Sequence, residues 1–228
     1  MDQEKITWPG YESFNMIKLL TPHDPHSLFH AVCMGFFKPY MLEEFNGCKI
    51  SRLQIVTNLR RELADKLAMT IPHQKVRYFD FYFNHPSAGA NAPLFNQPSL
   101  SNNLNTAAYA SLLNNNNSNA PLLSTNAPLL NNSPKSMMQV QAKLRSNDPI
   151  TFGFFNLLSH QINKDIFILH EDGKLVPCQE LVYKGRTAII LYYHNDHFDL
   201  VGVNYDDVVQ THFRPTHDLI RHLTTMML

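Results

Sequence analysis

The chain has 228 residues, 19 Lys or Arg against 19 Asp or Glu, and an apolar content of 44%, which suits one domain or one domain carrying an insertion. The balanced charge argues against a nucleic-acid surface, no run of 18 apolar residues offers a membrane span, and the charged opening Met1–Lys5 lacks the apolar stretch of a secretory signal. Cys33, Cys48 and Cys178 are odd in number and far apart, so neither a disulfide framework nor a thiolate zinc site is expected; a reducing compartment fits, and with it a cytoplasmic monomer.

In chain order, Asp24-Pro25 reads as N-cap and first position of a helix running to about Phe37, because proline lacks a donor that the first turn leaves unpaired anyway. A second helix starts at Ser51, with Gln54 completing a capping box. It carries Leu53, Val56, Leu59, Leu63 and Leu67 at helical spacing and ends before Pro72. From Phe81 to Pro134 there is no charged residue, and residues 91–132 hold 13 asparagines. Asn-Ala-Pro-Leu occurs there three times, at 91–94, 119–122 and 126–129. So many turn-formers and so few aromatics build no core, and about 86–140 is expected to be a disordered insertion. Asp148-Pro149 repeats the cap-plus-proline signal before a face of Phe152, Phe155, Leu158 and Ile162.

Strands follow. Asp165–His170 is β-rich, and Glu171-Asp172-Gly173-Lys174 reads as a tight turn. Thr187–Tyr193 reads as a buried strand, His194-Asn195-Asp196 as a turn, and His197–Asn204 as the antiparallel return. About 216–227 suits a short helix. Helices first and a meander last predict an α+β domain over about 10–210, its helices packed on a largely antiparallel sheet, with 211–228 as a terminal helix or tail.

Two segments carry candidate chemistry. Ser27 falls in the first turn of its helix, where free N–H groups and the positive dipole end favour a developing anion. His197 and Asp199 stand at i and i+2 of a strand, so they share a face and can form the base and its orienting carboxylate, while Phe198 and Leu200 point into the core. Taken singly, the first segment reads better as a plain polar helix start and the second as a polar strand edge. Cys33 lies well inside the helix on an apolar stripe with Phe29 and Phe37, a core position rather than a nucleophile's. His23, His26 and His30 cluster without a carboxylate or cysteine to complete a ligand set. His217 and His222 are spaced wrongly for a one-face pair, so no metal and no cofactor is expected.

Together the segments resemble the ovarian tumour (OTU) family of deubiquitinases. That family carries an Asp-x-x-Cys-Leu-Phe-x-Ala signature at a helix start, and this chain reads Asp24-Pro25-His26-Ser27-Leu28-Phe29-His30-Ala31. Near the C-terminus the family carries a His-aromatic-Asp/Asn step, and this chain reads His197-Phe198-Asp199-Leu200-Val201. Leu157–Ile168 resembles its helix-then-strand unit and Thr187–Tyr193 the strand before its histidine. The resemblance spans about 15–80 and 145–205.

The resemblance implies a papain-type cysteine peptidase fold and a ubiquitin isopeptidase. Its partners would be ubiquitin or ubiquitin-like modifiers and their conjugates, with no nucleic acid and no membrane. It aligns Ser27 with the nucleophile, His197 with the general base, Asp199 with its orienter, and Asp24 with the aspartate heading the loop that shapes the oxyanion hole. A serine where the family has cysteine admits three origins: an engineered inactive form, a natural pseudoenzyme that binds ubiquitin without cleaving it, or a true serine hydrolase. Whether the chain is an enzyme turns on that position.

Overall fold

The computed structural model describes residues 2–71, 75–84, 136–150, 154–176, 186–206 and 208–227. The asparagine-rich repeats, Phe152 and Cys178 lie outside these described residues. The central sheet takes β1 (Gln3–Lys5), β2 (Met16–Leu19), β8 (His197–Tyr205), β7 (Ala188–His194), β5 (Asp165–His170) and β6 (Leu175–Val176) in that spatial order. β9 (Val208–Gln210) also pairs with β8, and β10 (His212–Phe213) with β7. All pairings are antiparallel except β5 with β7, which is parallel. The expected α+β class with a largely antiparallel sheet is therefore what the chain adopts. The simple meander is not, because β6 folds back on the far side of β5 and the chain crosses over before entering β7. A separate two-stranded hairpin, β3 (Glu44–Phe45) and β4 (Cys48–Lys49), stands apart from this sheet.

Both faces of the sheet are buried. On one face Leu191, Phe198 and Leu200 pack with α1 (Ser27–Phe36), α3 (Arg52–Lys66), α4 (Met137–Arg145) and α5 (Phe155–Ile162). On the other, Ile190, Val201 and Val203 pack with Trp8, Tyr11 and α6 (Asp218–Met227). Burial on both sides explains why β7 reads as a continuous apolar run rather than an alternating one. α1 lies hard against the sheet. A Cβ added at Gly35 would meet Ile189 at 3.1 Å and Leu200 at 3.2 Å, so only a hydrogen there lets the helix approach this closely.

Several expected helix boundaries move. α1 begins at Ser27, with His26 as its N-cap, so Asp24 is not the cap. Its carboxylate instead accepts the His26 N–H at 2.7 Å in a turn ahead of the helix. α1 ends at Phe36, and Pro39 belongs to the first turn of a further short helix, α2 (Lys38–Leu42). Ser51 does cap α3, accepting the Gln54 N–H at 3.2 Å, while Leu53 on the expected apolar stripe is 51% exposed. α4 begins inside the stretch assigned to the insertion. Ser136 and Gln139 form a reciprocal capping box there, and Val140 and Leu144 are buried. Asp148-Pro149 caps nothing among the described residues, since α5 starts at Phe155.

Candidate active site

The hairpin joining β7 to β8 builds half of the site. Asn195 and Asp196 both have positive φ (45° and 59°), the geometry of a two-residue turn that matches strand twist. It sets His194 directly opposite His197. Cross-strand partners share a face, and Asp199 shares the face of His197 two residues on, so the two imidazoles flank one carboxylate. β2 supplies the rest. It pairs with β8 only as far as Leu19–Leu200, and the chain then turns away at Thr21, leaving the next groups of β8 without a ladder partner.

Thr21 and Ser27 take up those groups. The Phe198 carbonyl accepts from the Thr21 hydroxyl at 2.7 Å, and the Phe198 N–H donates to Ser27 Oγ at 3.3 Å. Ser27, at the first position of α1, is thus held on the residue that separates His197 from Asp199. All three are buried, as are His26 and His30 nearby. Ser27, His197 and Asp199 thus meet around Phe198 from opposite ends of the chain, and among the described residues no hydrogen bond joins Ser27 to His197.

The contacts of Thr21 set the tautomer of His197. Nε2 of His197 lies 2.9 Å from Thr21 Oγ1 and 3.3 Å from Asp199 Oδ1. The Thr21 hydroxyl has one proton and spends it on the Phe198 carbonyl, so Nε2–H donates toward Thr21 and the carboxylate. That assignment leaves the lone pair on Nδ1, which has no partner among the described residues and is the nitrogen able to take a proton. The ring of His23, an exposed residue, lies over that of His197 with centroids 4.4 Å apart.

Asp199 is the charged centre of the arrangement. Oδ1 accepts the Thr21 N–H at 2.8 Å, Oδ2 accepts from His194 Nε2 at 2.8 Å, and Lys18 Nζ stands 3.8 Å from Oδ2. Burial pushes its carboxyl upward, but hydrogen bonds from His197, the Thr21 N–H and His194 outweigh burial and hold it down at about 2. A depressed carboxyl adds stability above its unfolded value near 3.8 and loses it as pH falls through the folded value. That difference corresponds to on the order of 2 kcal/mol. The gap in unfolding free energy between this chain and Asp199→Asn should therefore be full above about pH 4 and close as pH falls toward 2. A pH-independent gap in chemical denaturation would contradict this.

The carbonyl of Asp24 accepts the Ser27 N–H at 3.3 Å, while its carboxylate is engaged elsewhere. Its Oδ2 pairs with His30 Nε2 at 3.0 Å, and His30 Nδ1 meets the Tyr40 hydroxyl at 2.7 Å. Burial, partly offset by Asp24, keeps His30 below the ordinary histidine value, so it sits as a neutral imidazole bridging a carboxylate and a phenol. His26 likewise is lowered by burial and by Arg60, whose NH1 lies 2.8 Å from His26 Nδ1. These bonds occupy both nitrogens of His30 and Nδ1 of His26, and among the described residues no cluster of three ligating side chains is set to hold a metal. Cys33 is 2% exposed and burial pushes its thiol up to about 12, so it is a core residue and not a second nucleophile.

Sequence reasoning missed Thr21 and His194. Nothing marks Thr21 locally. The signal for His194 was available, since a two-residue turn between residues 194 and 197 necessarily pairs them across the hairpin.

No family model matches the chain, and no curated protein matches it. Among solved structures it is similar to "Structure of Ovarian Tumor (OTU) domain in complex with Ubiquitin", with 12% identity and a TM-score of 0.48 over 99% of this chain and 88% of that one. It is also similar to "Crystal structure of the viral OTU domain protease from Taggert virus", with 11% identity and a TM-score of 0.41 over 90% of this chain and 94% of that one.

Proposed function

We propose that this chain is a deubiquitinase of the OTU type whose nucleophile position is held by serine. The observation that carries the reading is the seating of Ser27 Oγ on the N–H of Phe198, the residue that separates His197 from Asp199 in sequence, beside the contact of His197 with Asp199. The motif resemblance at 24–31 and 197–201 supplies the modifier: the C-terminal tail of ubiquitin, or of a ubiquitin-like protein, joined to a lysine amine. Asp24 acts as a positioning residue, because it shapes the turn that delivers Ser27 to the start of α1.

The chemistry is acyl transfer. With a thiol at position 27, Nδ1 of His197 takes its proton and the thiolate attacks the isopeptide carbonyl. The oxyanion that forms is favoured by the positive dipole end of α1, and the imidazolium returns its proton to the departing lysine amine. Water then releases the acyl group by the same base. A hydroxyl is far less acidic than a thiol and must lose its proton during attack, so the serine chain is expected to bind the modifier and turn it over poorly if at all. The test is a ubiquitin whose C-terminus bears a thiol-directed electrophile. Ser27→Cys should form a covalent adduct visible as a mass increase, and the serine chain should not. A Ser27→Cys chain that neither binds nor reacts would remove the family reading.

A second reading is a pseudoenzyme that binds ubiquitin without chemistry. It draws on the same contact, since a serine hydroxyl that receives a main-chain N–H also serves as a plain structural cap for β8. A Ser27→Cys chain that binds ubiquitin yet stays inert to the probe would decide for it.

A further inference from the structure

We propose that His194 is a positioning residue for the reaction assigned above: it grips the second oxygen of Asp199, so that the carboxylate presents its first oxygen to His197. The inference rests on that hydrolase reading for its consequence but on geometry alone for its contact. His194 Nε2 lies 2.8 Å from Oδ2, closer than His197 Nε2 comes to Oδ1, at 3.3 Å. The two imidazoles meet edge-on with ring centroids 5.6 Å apart, and each contacts a different oxygen of one carboxyl group.

Without His194 the carboxylate is pinned at one oxygen only. Oδ1 keeps the Thr21 N–H at 2.8 Å, whereas Oδ2 keeps only Lys18, at 3.8 Å and already paired with Glu4 at 2.9 Å. A carboxyl group held at one oxygen swings about its terminal torsion, which is broad and soft. Held at both, it fixes the plane in which His197 must donate, and hence the direction in which Nδ1 faces position 27. Among the described residues, Lys18, Thr21, His194 and His197 are the groups that contact this carboxylate, and of these His194 is the one that holds Oδ2 at hydrogen-bonding distance.

His194 itself touches neither position 27 nor the reacting nitrogen, so its effect passes through Asp199. Its Nε2–H donates to Oδ2, a role that a glutamine side-chain amide can also fill. Alanine cannot. The rescue by glutamine is what separates a donor to Asp199 from a residue that merely fills space at the hairpin.

The kinetic arm uses Ser27→Cys chains and ubiquitin carrying a fluorophore as a C-terminal amide. His194→Ala should lower kcat about tenfold with KM unchanged within about twofold, and His194→Gln should recover most of the loss. A His194→Ala chain as fast as its parent, or a glutamine chain as slow as the alanine one, overturns the proposal. A second arm needs no activity. In the serine chain, the ¹³C signal of the Asp199 carboxyl is followed downward from pH 6 in parent, His194→Ala and His194→Gln. The carboxyl should begin to protonate at higher pH in the alanine chain than in the other two, and a coincident onset in all three overturns the clamp. If the Ser27→Cys parent is inert, the hydrolase reading fails by itself and this second arm alone decides on His194.

Discussion

In the Ser27→Cys chain, adding His197→Ala is expected to reduce cleavage of a ubiquitin amide substrate by about 10² to 10⁴-fold, the range a positioned general acid–base supplies. The loss has two sources. No nitrogen remains to form the thiolate, and none to protonate the departing amine. Neighbouring imidazoles do not replace it. His194 is engaged with the far oxygen of Asp199, and His23 is an exposed residue stacked on the ring that would be removed. Asp199→Ala should cost less, since Thr21 Oγ1 at 2.9 Å still orients Nε2 of His197. The measurement is initial rate with circular dichroism as a fold control. A His197→Ala chain that keeps its rate would show that the base lies elsewhere.

The second large effect concerns a residue far from any reaction. Arg60→Met should lower the unfolding free energy by about 2–4 kcal/mol, because a buried acceptor that loses its donor costs about 1–3 kcal/mol. Arg60 is 2% exposed and donates to the carbonyls of Leu144, Lys143 and Asp148 at 2.9, 3.0 and 2.9 Å, and to His26 Nδ1. Its guanidinium also stands over the Phe29 ring at 5.3 Å. Burial pulls it down to about 10, with Asp148 and Asp24 opposing, so it remains a cation at neutral pH. Methionine keeps the stem's packing and leaves all four acceptors without their donor. Arg145→Met is the contrast. Its ion pair with Asp65 joins side chains about half exposed, so its loss should change stability by no more than about 1 kcal/mol. Equal urea midpoints for Arg60→Met and Arg145→Met would refute the hub.

Much of the second half of the fold was readable in advance, and for a local reason. Asp165–His170, the turn at Gly173, the strand ending near Tyr193, the return at His197 and the last helix are all written in short-range patterns: β-rich runs, a glycine at φ +82°, a turn-forming Asn-Asp pair. Ser27, His197 and Asp199 could be singled out because each sits in a recognisable segment. What escaped depends on distance along the chain. β2 is four residues long and becomes a strand by pairing with β8, and Thr21 becomes a site residue by meeting groups 176 to 178 positions away. Arg60 lies in a Leu-Arg-Arg-Glu stretch that reads as a solvated helix face, and only the arrival of α4 buries it. Asp24 was misplaced as a cap because the turn at 23–26 precedes the helix, a difference of two residues that side-chain chemistry alone does not register.

The pairing of β2 with β8 also sets a timetable for synthesis. Thr21 and Ser27 leave the ribosome early, whereas His194, His197 and Asp199 follow roughly 170 residues later, on the order of ten to thirty seconds at ordinary elongation rates. Through that interval Met16, Ile17 and Leu19, buried in the finished sheet, have β1 on one side and lack β8 on the other. Helices α1 and α3 can form meanwhile from local contacts, but any chain released before residue 199 is without a complete site. Termination before residue 197 therefore yields fragments that carry Ser27 and lack both His197 and Asp199.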